Sequence, residues 1–190
     1  MTCDELRATL AKRSRRRLEV SGFAESAVLA LLLAEGPEPV EAARLVFTVR
    51  RADLPRHAGQ IAFPGGRRDP DDMDLVATAL RETREELGVE GARVEVLGLL
   101  DDVPTPSRFV ITPVVGVVRG TVPLQPSDGE VAEVFACRLD ELRAPERYRD
   151  GGRHSWMGIE YVMHEYNVGQ HRIWGATARM VYQLLELAGP

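Results

Sequence analysis

The tetrapeptide Phe63-Pro64-Gly65-Gly66 and the stretch Arg81-Glu82-Thr83-Arg84-Glu85-Glu86-Leu87-Gly88-Val89 constrain this chain more than any other feature. A glycine turn leads into a helix that carries three carboxylates within five positions. At about 100° per residue, Glu82, Glu85 and Glu86 share one helical face. Like charges at i, i+3 and i+4 repel by about 0.2–0.5 kcal/mol per pair, and nothing in helix formation offsets that. A hard divalent cation held by carboxylate oxygens removes the repulsion. The expectation is a site for Mg²⁺ or Mn²⁺ built from Glu82, Glu85 and Glu86, with a phosphate ester or anhydride as substrate class.

The helix is expected from Leu75 to Leu87, with Gly88 as its stop and Asp72 or Asp74 as its N-cap. Val76, Ala79, Leu80, Thr83 and Leu87 recur at i, i+3, i+4 and i+7, so they form the expected buried stripe. That stripe lies roughly 120° around the helix from the acids. One face packs on the body while another points carboxylates into a cleft.

The rest of the chain reads as strands with a few helices. Asp4–Leu18 is expected to be helical, followed by an apolar run at Ala27–Leu33 that ends at Gly36-Pro37. Leu45–Arg50, Gln60–Phe63, Val94–Leu100, Ile111–Val118 (broken by Pro113), Val131–Cys137 and Ile159–His164 read as strands. Gly175–Leu187 closes the chain as a helix with Ala178, Val181, Leu184 and Leu185 on one side. Strands without regular βαβ alternation imply an α+β fold with a mixed sheet between helices. Residues 143–172 are the hardest stretch to read.

With 190 residues and no linker or repeat, one domain over 1–190 is the simplest organisation. The net charge of -5 argues against a general nucleic-acid binder. The basic run Lys12, Arg13, Arg15, Arg16 and Arg17 reads first as the solvated end of the opening helix, and second as an anion- or partner-contacting arm. Cys3 falls in a terminus expected to fray, and Cys137 reads as a small core residue. No secretory leader and no apolar stretch near 18 residues is present, so the expectation is a cytoplasmic protein with no membrane partner.

Gly66 to Val89 resembles the Nudix box, G-x(5)-E-x(7)-R-E-U-x-E-E-x-G-U, with U a bulky aliphatic. Arg81, Glu82, Glu85, Glu86, Gly88 and Val89 fall in place, and Thr83 takes the first aliphatic slot. The acidic slot holds Asp72, and eight residues separate it from Arg81, so the loop is one residue longer or uses Asp74. Upstream, Val46 to Gly66 resembles the motif of coenzyme A-type Nudix hydrolases, L-L-T-x-R-[S/R]-x(3)-R-x(3)-G-x(3)-F-P-G-G. Thr48, Arg50, Gly59 and Phe63-Pro64-Gly65-Gly66 match, while Pro55 stands in an arginine slot with Arg56 one residue late. Ile173-Trp174-Gly175-Ala176-Thr177 is similar to the C-terminal segment of these proteins.

The resemblance implies the Nudix α/β/α sandwich and cleavage of coenzyme A to 3′,5′-ADP and 4′-phosphopantetheine. The alternatives are a hydrolase of another nucleoside diphosphate derivative such as ADP-ribose or NADH, and a non-catalytic nucleotide-binding domain. An isomerase of the same fold would need Cys137 in the cleft. Glu82 and Glu86 are the expected first metal ligands, joined by Glu85. One of these acids or a loop carboxylate takes the proton of the attacking water, with Glu130 and Glu133 as candidates. Arg81 is expected to orient the acids, and Gly65 and Gly66 to allow close backbone approach. Arg50, Arg51 and Arg56 are candidates for bidentate phosphate contact. His57 is read as a hydrogen-bonded structural histidine before it is read as a general base, and His154, His164 and His171 show no ligand spacing and are assigned no role. Trp156, Tyr161, Tyr166 and Trp174 are read as core aromatics before they are read as adenine platforms. The partner is a small coenzyme A-like nucleotide, and a homodimer is compatible with the sequence.

Overall fold

Over residues 1–36, 38–53, 59–156 and 159–189 of the computed structural model, the chain opens with α1 (Cys3–Lys12), β1 (Ala24–Ala34), β2 (Arg44–Arg50), β3 (Ile61–Ala62), β4 (Gly65–Arg67) and α2 (Leu75–Leu87). It continues with β5 (Glu95–Leu99), β6 (Val103–Pro104), β7 (Phe109–Arg119), β8 (Val131–Arg138), α3 (Leu139–Arg143), β9 (Tyr148–Trp156), β10 (Ile159–Val168), β11 (His171–Trp174) and α4 (Gly175–Leu187). The expected α+β architecture with a mixed sheet between helices is what the structure shows.

β1 and β7 run parallel at the centre of the first sheet, in register from Ala24↔Phe109 to Ala34↔Arg119. Both are covered on both faces, which is why their sequences are near-continuous apolar runs rather than alternating ones. Ala27, Leu29 and Leu31 of β1 pack with Ala79 and Leu87 of α2. Val28, Ala30 and Leu32 face the other way, toward Leu6 and Leu10 of α1 and Ala178, Val181 and Leu184 of α4. Ala178, Val181, Leu184 and Leu185 are buried as the helical spacing requires.

One feature of the sheet sets up the site. β1 and β2 pair antiparallel only at Leu32↔Leu45 and Leu33↔Arg44. Beyond that they part, and the next two strands fill the wedge: β4 pairs with β1 at Ser26–Val28, and β3 pairs with β2 at Thr48–Val49. The Phe63-Pro64 corner joins them, and the Pro64 carbonyl accepts from the Leu29 N–H at 2.8 Å. The glycine turn is thereby fixed into the sheet beneath α2.

Several expectations are corrected. α1 stops at Lys12, not Leu18, because Arg13 turns to extended backbone (φ -82, ψ 146). The basic run that follows is neither a solvated helix end nor a free arm. Arg13 pairs with Asp101, Arg15 pairs with Asp102 at 3.0 Å, and the Arg16 and Leu18 N–H groups donate to the same two carboxylates. Cys3 is buried rather than frayed, since Thr2 and Glu5 form a reciprocal capping box that fixes the first turn. Pro113 does not break β7. Its carbonyl accepts from Leu100 N–H, so its missing donor faces the gap between β5 and β6 where no ladder partner is needed. Cys137 is buried as expected, and its Sγ donates to Glu141.

β9, β10 and β11 form a second, three-stranded sheet in the order β11-β10-β9, in which the sequence pattern predicts neither β9 nor β11. The residues of β9 are exposed along almost their whole length, so no apolar alternation betrays the strand. Among the described residues, no helix is long and apolar enough to cross a membrane.

On α2, Ala79, Thr83 and Leu87 are buried, but Val76 and Leu80 are only half-buried. Leu80→Ala is therefore expected to cost about 1–2 kcal/mol, less than the 2–5 kcal/mol of a fully buried leucine, read from chemical denaturation midpoints.

Candidate active site

α2 has the bounds its local sequence dictates. Asp74 is the N-cap and accepts from the Ala77 N–H at 2.8 Å, while Gly88 ends the helix in the left-handed region at φ 68. Asp72 does a different job. It is buried at 9% exposure and receives two parallel bonds from Arg81, Nε to Oδ1 and Nη2 to Oδ2, both at 3.0 Å. It also accepts from the Asp69 N–H and from Thr78 Oγ1 at 2.9 Å each. So Asp72 braces the loop against the helix through Arg81 and Thr78, and the longer loop keeps its acid in the bracing place. Thr78, completely buried, was not foreseen; a polar residue at an inward helical position was its only signal in the sequence.

The bidentate Arg81 guanidinium holds the Asp72 carboxyl well below its ordinary value of 3.8. A depressed native pKa stabilises the fold above the unfolded value, and the stabilisation is lost as pH falls through the native one. Asp72→Asn is expected to cost about 2 kcal/mol at pH 7 and to flatten the loss of stability below about pH 4, measured as melting temperature against pH.

Arg81 also spans the acids it was expected to orient, with Nη1 at 2.8 Å from Glu82 Oε1 and 3.1 Å from Glu85 Oε2. The three glutamates do not share one exposed face. Glu85 is half-exposed, Glu82 mostly covered, and Glu86 buried at 6%. The glycine pair of β4 explains this gradient. A Cβ on Gly66 would lie 2.5 Å from the Glu82 carboxylate, and the Gly65 backbone acts on Glu86 from the same strand. A strand without side chains leaves room for two carboxylates between helix and sheet. Burial first, and the Glu82 charge second, push the Glu86 carboxyl up to about 8. Burial raises Glu82 as well, against the pull of Arg81.

The wall opposite α2 comes from β2 and the loop before β8. Gln125 and Ser127 N–H groups donate to the Leu87 and Glu86 carbonyls at 2.8 and 2.9 Å, which satisfies the helix end and ties the loop to it. Glu130 follows, and its carbonyl accepts from the Arg51 N–H at 3.0 Å. Arg50 Nη1 donates to Glu130 Oε2 at 3.3 Å, while Arg50 Nε is buried without an acceptor among the described residues. The charges of Arg50 and Glu130 both act on Glu86.

Other candidates are placed elsewhere. Arg51 is engaged by Asp53 and the Asp128 carbonyl, so it holds the loop. Glu133 turns to His171 at 3.1 Å, and that ring stacks on Phe135. Tyr166 is core, and Trp174 is 46% exposed. Arg56, His57 and Pro55 lie outside the described residues.

The donor set fits a hard cation. Glu86 and Glu82 are two covered carboxylates held together with, among the described residues, no lysine or arginine bonded to Glu86, and a divalent ion relieves that cost. Glu85 would join by releasing Arg81, which keeps Asp72 as its partner. As arranged, no three acidic, cysteine or histidine groups among the described residues converge closely enough to hold an ion.

Comparison with known proteins gives the family and the fold. Residues 25–156 match the family described as NUDIX domain. Over 145 residues the chain is 40% identical to a protein of Pectobacterium atrosepticum called an uncharacterized Nudix hydrolase NudL, covering 74% of this chain and 72% of that one. A Yersinia pestis protein of the same description is 39% identical over 150 residues, covering 79% and 73%. Among solved structures, a MutT/nudix family protein from Enterococcus faecalis superposes with TM-score 0.53 at 18% identity, covering 92% of this chain and 71% of that one. A Nudix hydrolase from M. Smegmatis, RenU, superposes with TM-score 0.51 at 21% identity, covering 63% and 73%. These two likenesses concern the fold alone.

Proposed function

This chain belongs to the NUDIX domain family, and from that premise we propose that it hydrolyses the pyrophosphate of coenzyme A or an acyl or oxidised derivative. The products are 3′,5′-ADP and 4′-phosphopantetheine or its acyl form. The observation that carries the reading is the pair Glu82 and Glu86 pressed against Gly65-Gly66, with Arg50 bringing to the same place a donor, Nε, that has no acceptor among the described residues. Acid and cation stand side by side, as a metal-assisted reaction on an anionic anhydride requires. The upstream motif running into Phe63-Pro64-Gly65-Gly66 favours coenzyme A over other nucleoside diphosphate derivatives.

Each side chain then has a task. Glu82, Glu85 and Glu86 would hold Mg²⁺ or Mn²⁺. When bound, the ion supplies charge neutralisation for the phosphate oxygens and acidifies water. Arg81, anchored on Asp72, positions Glu82 and Glu85. Gly65 and Gly66 keep the strand flat enough for carboxylates and phosphate to approach. Arg50 grips a phosphate oxygen, and Arg56 belongs to the same phosphate-binding set. Arg51 serves by holding the Asp128–Glu130 loop, and Glu130 accepts the proton of the attacking water. Residues 1–190 act as one cytoplasmic unit, as single chains or as a homodimer.

The test is a substrate panel. Purified protein with Mg²⁺ or Mn²⁺ is given coenzyme A, acetyl-coenzyme A, ADP-ribose and NADH, and products are resolved by chromatography. 3′,5′-ADP from coenzyme A, abolished by EDTA, is the expected result. Turnover of ADP-ribose or NADH in its place would discard the coenzyme A assignment and keep the acid helix.

A further inference from the structure

Arg67 directly follows the glycine that faces the acids, and it points the other way. Across β1 and β4, Gly66 pairs with Ala27 and Arg67 pairs with Ser26. Directly paired residues share a face, and neighbours along a strand take opposite ones. Ala27 packs with Ala79 and Leu87 of α2, and a Cβ on Gly66 points at Glu82. Val28, on the same face as Ser26, packs with the cluster of α1 and α4 instead. Arg67 therefore stands on the side of β4 away from the glutamates. Its backbone is nonetheless fixed relative to them, since its carbonyl accepts from Arg81 Nη2 at 3.2 Å. The next residue is tied to β1, with the Arg68 N–H donating to the Glu25 carbonyl at 3.0 Å. The Arg67 side chain is exposed and bonds to no group among the described residues. With Ala24, Glu25, Arg68, Asp69 and Pro70 it lines an open groove of about 270 Å³. Arg68 Nη1 is spent there on Glu25 Oε2 at 2.9 Å, and Asp69 Oδ1 accepts from the Asp71 N–H at 3.1 Å.

A guanidinium without a carboxylate partner presents its whole fork to an anion, and that fork matches two phosphate oxygens. The phosphates that a metal ion would hold lie on the Glu82 side of β4. The anion suited to Arg67 is a second one, on the opposite side of the same strand. Coenzyme A carries such a group, the 3′-phosphate of its ribose, whereas ADP-ribose and NADH have only the pyrophosphate. We infer that Arg67 binds the ribose 3′-phosphate, so that the substrate straddles β4 with its pyrophosphate on the glycine–glutamate face and its phosphate monoester in the groove. Arg67 is then a specificity residue, which selects substrates by a group that takes no part in the bond cleavage. This rests on the reading of the site as one for coenzyme A and names the part of that molecule by which it is told from other nucleoside diphosphate derivatives.

The test compares coenzyme A with dephospho-coenzyme A, which lacks only that phosphate, in the full-length protein with Mg²⁺. Wild type, Arg67→Gln and Arg67→Lys are measured. The wild-type ratio of kcat/KM between the two substrates is expected to be about 10 or more, and to fall to about 1–2 in Arg67→Gln. Arg67→Lys, which keeps the charge and loses the fork, is expected to lie between them. A wild-type ratio near unity overturns the inference. So does a ratio that survives in Arg67→Gln, including one that survives because both substrates lose equally. Melting curves check that each variant is folded; the substitutions remove no main-chain bond. Calorimetric titration of adenosine 3′,5′-bisphosphate and of AMP into the metal-free protein in EDTA reads the same contact without turnover. The bisphosphate is expected to bind wild type about 10-fold or more tightly than AMP, and Arg67→Gln no more tightly than AMP. No binding of the bisphosphate to wild type overturns the inference. Turnover of coenzyme A with both preferences indifferent to Arg67 rejects the subsite alone. An Arg67-dependent preference for the bisphosphate with no turnover of coenzyme A rejects the substrate reading alone.

Discussion

Glu86→Gln is expected to lower turnover at least about 10²–10³-fold while the metal-free protein melts no lower than wild type. Glutamine has the same shape and keeps a polar oxygen in the same place, so the packing between α2 and β4 is preserved. What disappears is a group whose ionisation burial and Glu82 both oppose. A covered carboxylate of this kind destabilises the free protein at neutral pH, and its removal relieves that cost. The same charge is the ligand a divalent ion needs. The variant should therefore also lose the rise in melting temperature that Mg²⁺ or Mn²⁺ gives the wild type. Two measurements settle the point: product formation under saturating substrate, and thermal melts with and without metal. Turnover within a few-fold of wild type would remove Glu86 from the metal set. A large fall in the metal-free melting temperature would show that its carboxylate is a structural group.

The neighbouring glycines should separate stability from activity. A Cβ on Gly65 would lie 2.4 Å from the Ala27 carbonyl and 2.5 Å from Val28 Cα, both backbone atoms of the central strand. Neither can yield without opening the sheet, so Gly65→Ala is expected to cost about 3 kcal/mol or more, or to prevent folding. The three atoms nearest a Cβ on Gly66 all belong to the Glu82 carboxylate, at 2.5–2.6 Å, and a side chain can swing away. Gly66→Ala is expected to fold with a loss of about 1 kcal/mol or less and to lose about 10²-fold or more in turnover, because Glu82 is driven from its place. Denaturant midpoints alongside turnover distinguish the two. Equal stability losses at both positions would mean that the strand, and not the carboxylate, sets the requirement at Gly66.

The parts of this protein legible in the sequence are those whose cause lies within a few residues. α2 runs from Leu75 to Leu87 and α4 from Gly175 to Leu187, as their caps and apolar spacing dictate, because helix bonds and capping are local. The acids on α2 were legible for the same reason, and so was the glycine turn. Burial of each acid was not. Helical periodicity places Glu82, Glu85 and Glu86 on one face, yet only the approach of a side-chain-free strand makes Glu86 a core residue and leaves Glu85 in solvent. Strand limits set by partners were harder still. β7 passes through Pro113 because the gap between β5 and β6 lies opposite its missing donor, and β9 has no pattern of its own because its residues face solvent.

By itself, the sequence determined the acid helix, its limits, the glycine turn before it and the family to which both belong. The tertiary structure alone decided that β1 and β2 part to admit that turn, that Asp72 and Thr78 anchor Arg81, and that Arg50 meets Glu130. Those contacts join residues from 6 to 80 positions apart, and they depend on how strands pair and layers stack. Helix formation is a property of the segment, whereas strand pairing and burial are properties of the whole chain.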